Sequence, residues 1–462
     1  MSPFRERARV QLATPGLGAA IGHAMDVRAE ARERVFGNTD VEALRRAARA
    51  IRAHTIANLP EYLDRFADAA DAGGASVFFA STAGEAVAHV LRIVRERGAR
   101  LVVKSKSMVA EEIDLNAALE RDGVEVVETD LGEHIVQIAN ERPSHITVPA
   151  VHKTRAQVRE LFERVYGARL SDDPAEITGF ARGVLRERFL RADVGITGVN
   201  FGVASTGSLV IVTNEGNGRM STSLPRVHIA VMGMERIVPS FRELSVLLPL
   251  LTASATGQRI TAYVNVVNGP RRGDEPDGPE ELHIVILDNG RSALLSTEYR
   301  SVLHCIRCGA CQNVCPVFRQ VGGHAYGGVY GGPIGAVLTP LMDGFESAGD
   351  LPHASTLCAA CSDACPVGIP IHELLIALRR DATAEQAGRA ERLGFALWSR
   401  LWSSAPGYRT SVRLARLAQR PFARAGRLRR APFPLSRWTS SRDLPALAKE
   451  SFRERWRRAG GA

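Results

Sequence analysis

The first 304 residues of this 462-residue chain contain no cysteine, and none follows Cys365. All seven lie between Cys305 and Cys365. A disulfide framework would distribute pairs across the fold, so this clustering, with its odd count, argues for metal binding in a reducing compartment. Long apolar runs are also missing. The most apolar tract, LSVLLPLL (Leu244–Leu251), is far shorter than the roughly 20 residues of a membrane-spanning helix. The opening MSPFRERARVQL has charges but no apolar h-region, so no secretory signal is read there and a cytoplasmic location is expected. No G-x-G-x-x-G follows the first strand and no G-x-x-x-x-G-K-[ST] occurs, which excludes the dinucleotide fingerprint and the P-loop.

Aromatic residues make up only 6% of the chain and are not interleaved with basic ones, so no base-stacking platform is present. The net charge of +9 points the same way once it is localised. From Gln386 onward there are eighteen Lys/Arg against four Asp/Glu, a net of +14, which leaves −5 for everything before it. The basic character belongs to a tail, and nucleic-acid binding by the main body is not expected. Trp398, Trp402 and Trp456 stand among the tail's arginines. The tail reads as a solvated helical extension, with contact to a partner or an anionic membrane surface as the alternative.

Residues 1–72 have apolar positions three and four apart and read as a helical segment. Residues 73–300 alternate short β-branched runs with helical stretches, which predicts an α/β domain with a largely parallel sheet. The runs are SVFFA, LVVKS, VEVVET, HITVP, LVIVT, VHIAVMG, ITAYVNVV and LHIVIL. TGVNFGVASTGSLVIVTNEGNG, with strands joined by Gly/Ser/Asn turns, predicts an antiparallel hairpin. NGPRRGDEPDGPEE reads as an exposed loop. A cysteine region spans 301–380, and the basic extension spans 381–462.

HCIRCGACQNVCP has the spacing C-x2-C-x2-C-x3-C-P. Three thiolates on a tight loop cover one face of a cubane, and the fourth is directed to a second cluster. Four soft ligands so closely spaced specify [4Fe–4S] rather than zinc, which pairs two separate C-x2-C units. LCAACSDACP is a second run. Aligned on its terminal Cys-Pro, it reads S-x2-C-x2-C-x3-C-P, with Ser355 in the first position. Under the usual exchange, Cys305, Cys308, Cys311 and Cys365 hold one cluster, and Cys315, Cys358 and Cys361 hold the other. Its fourth corner falls to Ser355, water, another group or nothing, so the second site is a [4Fe–4S] with a non-cysteine corner, a [3Fe–4S], or a labile cluster. His304, His324, His353 and His372 lie nearby, but none occupies the vacant position.

These runs and their flanks, HCIRCGACQNVCPVFRQVGGHAYGGVYGGPIGAVLTPL and LPHASTLCAACSDACPVGIPIHELL, resemble the lactate-utilisation iron–sulfur protein B family. LVVKSKSMVAEEIDLN, GVNFGVASTGSLVIVTNEGNGRMSTSLP and GPEELHIVILDNGR resemble that family's LUD domain. The resemblance covers about Arg46 to Leu378, and the tail fits the family's C-terminal extension. It implies a LUD fold like the sugar-phosphate isomerases and CoA transferases, followed by a ferredoxin-type two-cluster domain. It also implies a subunit of a bacterial three-protein system oxidising L-lactate to pyruvate, with a cysteine-rich CCG-domain protein and a second LUD-domain protein as companions. Members similarly carry three cysteines in the second run. The resemblance leaves open which subunit carries the lactate chemistry.

KSKSMVAEE follows a strand and opens a helix. Lys104 and Lys106, with Ser107 as N-cap, are candidates for holding a carboxylate or phosphate. Ser205 and Asn214, on Gly-rich turns, are candidates for the same pocket. Three functional expectations follow: an electron-transfer subunit passing electrons through two clusters to a further acceptor, the substrate-binding catalytic subunit of the same system, or an assembly scaffold with structural clusters.

Overall fold

The computed structural model describes residues 3–37, 39–433, 435–440 and 442–460. The chain divides into two compact units, one ending at Ala382 and one starting at Thr383.

In the first unit, six strands form a parallel sheet: β1 (Ser76–Ala80), β2 (Leu101–Lys104), β3 (Glu125–Glu128), β4 (Val194–Gly198), β7 (Val227–Gly233) and β10 (Glu281–Leu287), in the order β1-β10-β7-β4-β2-β3. A second sheet, ordered β8-β5-β6-β9, is built from β5 (Phe201–Val203), β6 (Ser208–Thr213), β8 (Ile237–Val238) and β9 (Tyr263–Val267). Its β5–β6 pair is the antiparallel hairpin expected from the Gly/Ser/Asn turns. Every residue of β7 is buried, as the central strand of a sheet covered on both faces must be. The helix Ala83–Glu96 is capped by Thr82, and Arg155–Tyr166 by a Thr154/Gln157 capping box, so local chemistry and the apolar pattern agree on both.

Two sequence expectations need correction. HITVP is not a strand: residues 144–147 form bends and a turn begins at 149. The His145 imidazole Nδ1 accepts from the backbone N–H groups of Thr147 and Val148, and Ser144 N–H bonds to the Pro149 carbonyl. These local bonds replace a sheet ladder to which proline could not donate. Conversely, the central strand β4, VGITG, lies outside the runs read as strands, because glycine is depleted in strands. The glycine has a packing cause. A Cβ on Gly195 would lie 1.9 Å from the Ser221 carbonyl oxygen of the helix Asn217–Ser223.

The N-terminal helices share one core with both the second sheet and the cysteine region. Ile21, Met25 and Phe66 belong to the same buried cluster as Phe201, Phe318 and Leu351. The polar side of that junction is Arg52, on the helix Val41–Ala57, which is 1% exposed. Its guanidinium donates to the carbonyls of Ile237 (2.8 Å), Leu303 (3.0 Å) and His304 (3.3 Å), and to that of Glu235. Farther out, Arg45 donates to the Cys365 carbonyl at 3.0 Å and Arg32 to that of Ala364 at 3.2 Å.

The second unit contains the helices Arg389–Trp402 and Ala405–Ala418, neither with a buried residue, and a small antiparallel sheet of β11 (Ala423–Arg424), β12 (Arg427–Leu428) and β13 (Leu444–Pro445). Among the described residues no helix is long and apolar enough to cross a membrane.

Replacing Arg52 by Met strands four buried carbonyls. At about 1–3 kcal/mol for an unsatisfied buried group, with some relaxation, the expected loss is about 3–5 kcal/mol. Chemical denaturation followed by circular dichroism measures it.

Candidate functional site

The two cysteine runs fold as copies of one loop. In the first, Arg307 (φ 59°) and Gly309 (φ 76°) are left-handed, Cys311 lies in the helix Ala310–Asn313, and Cys315 caps Pro316–Val321. In the second, Leu357 (φ 55°) and Ala359 (φ 64°) take the equivalent places, and Cys361 lies in Ala360–Ala364. The alternating left-handed residues wind the backbone around a centre and aim amides at it. Arg307 N–H donates to Cys305 Sγ at 3.4 Å, Phe318 N–H to Cys315 Sγ at 3.4 Å and Ile369 N–H to Cys365 Sγ at 3.4 Å. At the vacant position the same bond recurs: Leu357 N–H donates to Ser355 Oγ at 3.1 Å. The serine hydroxyl stands where the first loop has the Cys305 sulfur.

The thiols separate into two groups. Cys305, Cys308, Cys311 and Cys365 line one small apolar cavity with Ile306, Ile334 and Val367. Burial, reinforced by the neighbouring thiols, pushes the Cys308 and Cys311 thiols far up. Cys315, Cys358 and Cys361 feel one another's charge. Burial and Cys315 push Cys361 up to about 11. Cys358 is exposed, and a hydrogen bond from Thr356 lowers its thiol. Thiols buried this way become thiolates when a metal centre supplies the compensating positive charge.

Among the described residues no three His, Cys, Asp or Glu side chains converge tightly enough for a single ion. The first four thiols surround a space rather than a point, which fits a cluster of several irons. An orphaned hydroxyl fits it too. Tyr326 is 2% exposed, lies within the influence of Cys315, Cys311 and Cys361, and its hydroxyl has no partner among the described residues. Cluster sulfide, when bound, would accept its hydrogen bond.

The four nearby histidines are engaged elsewhere or buried. His324 Nε2 meets the Arg142 carbonyl at 2.6 Å and His372 Nδ1 meets Ser362 Oγ at 2.8 Å. Burial lowers His304 to about 4 and also lowers His353.

Beside the first thiol group lies a set of buried charges. Glu235, which is 2% exposed, pairs with Arg291 at 2.8 Å, Arg307 at 3.4 Å and Arg236 at 3.8 Å. Burial alone would raise its carboxyl, yet Arg291, Arg236 and Arg307 hold it down at about 2. Arg236 also donates to the Cys305 carbonyl at 3.5 Å. Arg307 lies over the Tyr330 ring, 4.4 Å from its centroid.

A cavity of about 480 Å³ opens at the C-terminal ends of β2, β3 and β4, where open α/β sheets bind ligands. Lys106, Ser107 and Asn214 line it, with Arg236 and Arg307. Ser107 is the N-cap expected of it, accepting from Ala110 N–H at 3.2 Å. Lys104 and Ser205 are not brought to this cavity. Lys104 is fully buried with its ammonium 2.7 Å from Glu128, and Ser205 N–H bonds to the Pro239 carbonyl at 3.1 Å. Lys106 faces Glu133 at 4.0 Å. The two lysines therefore meet the chain's own carboxylates. The arginines were missed because each is isolated in sequence from the motif it serves; only Arg307, inside the first cysteine run, carried a positional signal.

The comparisons agree with this architecture. Residues 63–287 match the LUD domain, residues 301–369 the 4Fe-4S dicluster domain and residues 380–460 the C-terminal region of lactate utilisation protein B. The chain is thus built as an iron–sulfur protein, an α/β LUD domain followed by a ferredoxin-type dicluster domain. Lactate utilization protein B of Bacillus licheniformis is 50% identical over 98% of this chain and 95% of that protein, and that of Shouchella clausii is 49% identical over 98% and 96%. The same-named protein of Geobacillus kaustophilus is 51% identical over 89% and 87%. The chain belongs to the lactate utilisation protein B family. A solved DUF162 family protein from Deinococcus radiodurans aligns over 50% of the chain and 98% of its own length at 16% identity, with a TM-score of 0.28, a likeness too weak to bear on the fold.

Because Ser355 Oγ takes the place of a sulfur, Ser355→Cys should change the EPR spectrum of the cluster held by Cys315, Cys358 and Cys361 and leave the four-cysteine cluster as it was. Equal changes in both, or in neither, would contradict this partition.

Proposed function

We propose that this chain is the iron–sulfur electron-transfer subunit of a system oxidising L-lactate to pyruvate. The observation that carries the reading is the contrast between the thiol groups: four around a small apolar cavity beside buried arginines, and three opening to solvent at Cys358. An inner and an outer one-electron carrier make a path from the protein's interior to a partner's surface. The relatives' name, lactate utilization protein B, supports lactate as the source of the electrons.

Cys305, Cys308, Cys311 and Cys365 would hold a [4Fe–4S] cluster. Cys315, Cys358 and Cys361 would hold a [4Fe–4S] completed by Ser355 or left with an open corner, or a [3Fe–4S]. When bound, the clusters supply one-electron steps. The chain's own groups contribute thiolates, amide donors and fixed guanidinium charge. The companions are a cysteine-rich CCG-domain protein and a second LUD-domain protein, and the downstream acceptor would approach at Cys358. The LUD domain, residues 73–300, would share the sugar-phosphate isomerase and CoA-transferase-like fold. It lies between the helical segment 1–72 and the dicluster domain 301–380, and the basic extension 381–462 is read as a solvated helical segment. A cytoplasmic setting suits the seven thiols.

A second reading, that this chain also holds the substrate, is favoured by one feature: Arg307 lines both the large cavity and the cavity of the first thiol group. A small anion against Lys106, Ser107 and Asn214 would then lie beside the first cluster. The scaffold reading has no comparable support.

Anaerobic EPR on the assembled system distinguishes these readings. L-Lactate should reduce both clusters on this chain when the companions are present; turnover with both clusters oxidised would eliminate the relay. Lys106→Ala should lower lactate turnover at least tenfold, whereas unchanged turnover would remove the cavity from the reaction.

A further inference from the structure

Two buried carboxylates, a half-buried third and two lysines meet beside the large cavity. Glu128, on β3, is 4% exposed and holds Lys104 at 2.7 Å. Glu133, on the helix Leu131–Ile138, is 2% exposed, and its Oε1 lies 4.0 Å from Lys106 Nζ without a hydrogen bond. Glu111, on the helix Met108–Glu112, has an Oε1 equally buried and equally without a hydrogen-bond partner. Glu111 and Glu133 line a second cavity of about 10 Å³ with Lys106, His145 and Gln312, room for about one water molecule.

The charges facing this pair come from every side. Lys104 and Lys106 come from β2 and its following loop, and Glu128 from β3. Arg142 lies on the segment after the helix, where it also pairs with Asp114 at 3.8 Å. His145 is kept neutral, lowered to about 3 by burial and by Arg28 and Lys106. The cysteine region presents Gln312, Val329 and glycines to this cavity, none of them titratable, and Glu112 next door is taken by Arg291 and Tyr330. Two ammonium groups match two carboxylates. The third has neither a buried cation nor a donor, and a bare charge so placed is relieved by keeping a proton. Burial, partly offset by Lys104, holds the Glu111 carboxyl up at about 7, and burial together with the Glu111 charge raises Glu133 as well.

We propose that Glu111 and Glu133 share one proton at neutral pH, and that this pair, acting through Lys106, is the acid–base site of the large cavity. Among the described residues Lys106 is the one titratable side chain lining both cavities. The role rests on the reading that the large cavity holds a ligand, and the class served is a small hydroxylated anion such as a 2-hydroxy acid. The ligand's O–H bond breaks as an N–H bond forms at Lys106 Nζ, while Lys106 passes its own proton to the free carboxylate. One carboxyl beside one carboxylate allows the transfer in either direction. Glu111 and Glu133 are positioning and storage groups, and of these three side chains Lys106 alone would touch the ligand.

Infrared spectroscopy of the cluster-loaded protein at pH 7 tests the shared proton without lactate. The expected result is a carbonyl band of a buried carboxylic acid that shifts in D2O. Either Glu111→Gln or Glu133→Gln should diminish it, because the remaining two carboxylates are then matched by the two lysines, while Glu215, raised to about 7 by burial and by Asp130, keeps its own contribution. No such band in the native protein, or a band undiminished in both variants, overturns the proposal. Glutamine is isosteric with the protonated acid, so both variants should fold.

Stability offers a second measurement. The folded pKa of Glu111, about 7, lies above its ordinary 4.5, so the folded state binds more protons between those values and stability falls as pH rises through that window. Glu111→Gln should flatten that fall, and an unchanged slope counts against the proposal. For the acid–base role, Glu133→Gln and Lys106→Met in the assembled system should slow lactate-dependent cluster reduction at least tenfold and flatten its pH profile. Reduction by dithionite should be unchanged. A native pH profile in both variants overturns the role, whereas failure of dithionite to reduce the clusters would tell against the relay instead.

Discussion

The buried carboxylate of Glu235, and the guanidiniums gathered around it and its backbone, hold the α/β domain and the cysteine loops as one body. Glu235 follows β7, Arg291 follows β10, Arg307 belongs to the first cysteine loop and Arg52 to an N-terminal helix. Buried ion pairs are weak sources of net stability, since desolvation offsets most of their attraction. What they supply here is position. Arg307 sits at φ 59°, a conformation costing about 1–2 kcal/mol for a residue with a side chain. It is held there by Glu235 on one side and the Tyr330 ring on the other. The loop that wraps the first thiol group is therefore fastened to the end of the sheet.

That fastening also distributes charge unevenly. Arg52, Arg236, Arg291 and Arg307 face the carboxylates of Glu235 and Glu112, which leaves a surplus of positive charge beside the first thiol group. Even Arg52, pulled down to about 10 by burial and Arg236, stays charged at neutral pH. Four thiolates around an iron–sulfur core supply the negative charge that this environment lacks. The second group has no such cage, and its exposed Cys358 is stabilised by Thr356 and by solvent. Fixed charge and open water stabilise a reduced cluster by different means, so the two sites differ in electrostatic character as well as in ligands.

How much of this was legible follows from sequence separation. The paired cysteine loops were readable because their spacing is local, and Ser107 as an N-cap because capping acts over three residues. Seven of the eight runs read as strands became strands, since β-branched alternation is also local. HITVP was lost to hydrogen bonds accepted by one histidine, and β4 was missed because its glycine answers to a helix carbonyl that approaches only in the folded chain. Lys104 read as an anion-binding lysine, because nothing in KSKS reveals that a carboxylate on the next strand lies directly against it. The arginine cage was invisible for the same reason: Arg52 and Leu303 are 251 residues apart. Contacts of that range are decided by topology rather than by motif.

The Ser355 loop separates what the backbone does from what the ligand does. Its left-handed residues, Leu357 and Ala359, are not glycines, and each costs about 1–2 kcal/mol to hold in that conformation. A loop that had merely lost a cysteine and its function would be free to relax into an unstrained turn. Instead it keeps the winding of the first loop, including the amide bond to the first position, now received by oxygen at 3.1 Å. Arg379 reinforces it by donating to the Ser355 carbonyl at 3.1 Å and to that of Pro352 at 2.9 Å. The second loop therefore keeps the backbone frame of the first with a hydroxyl in its first position, and the difference between the two loops there is one of chemistry at a single atom, not of architecture.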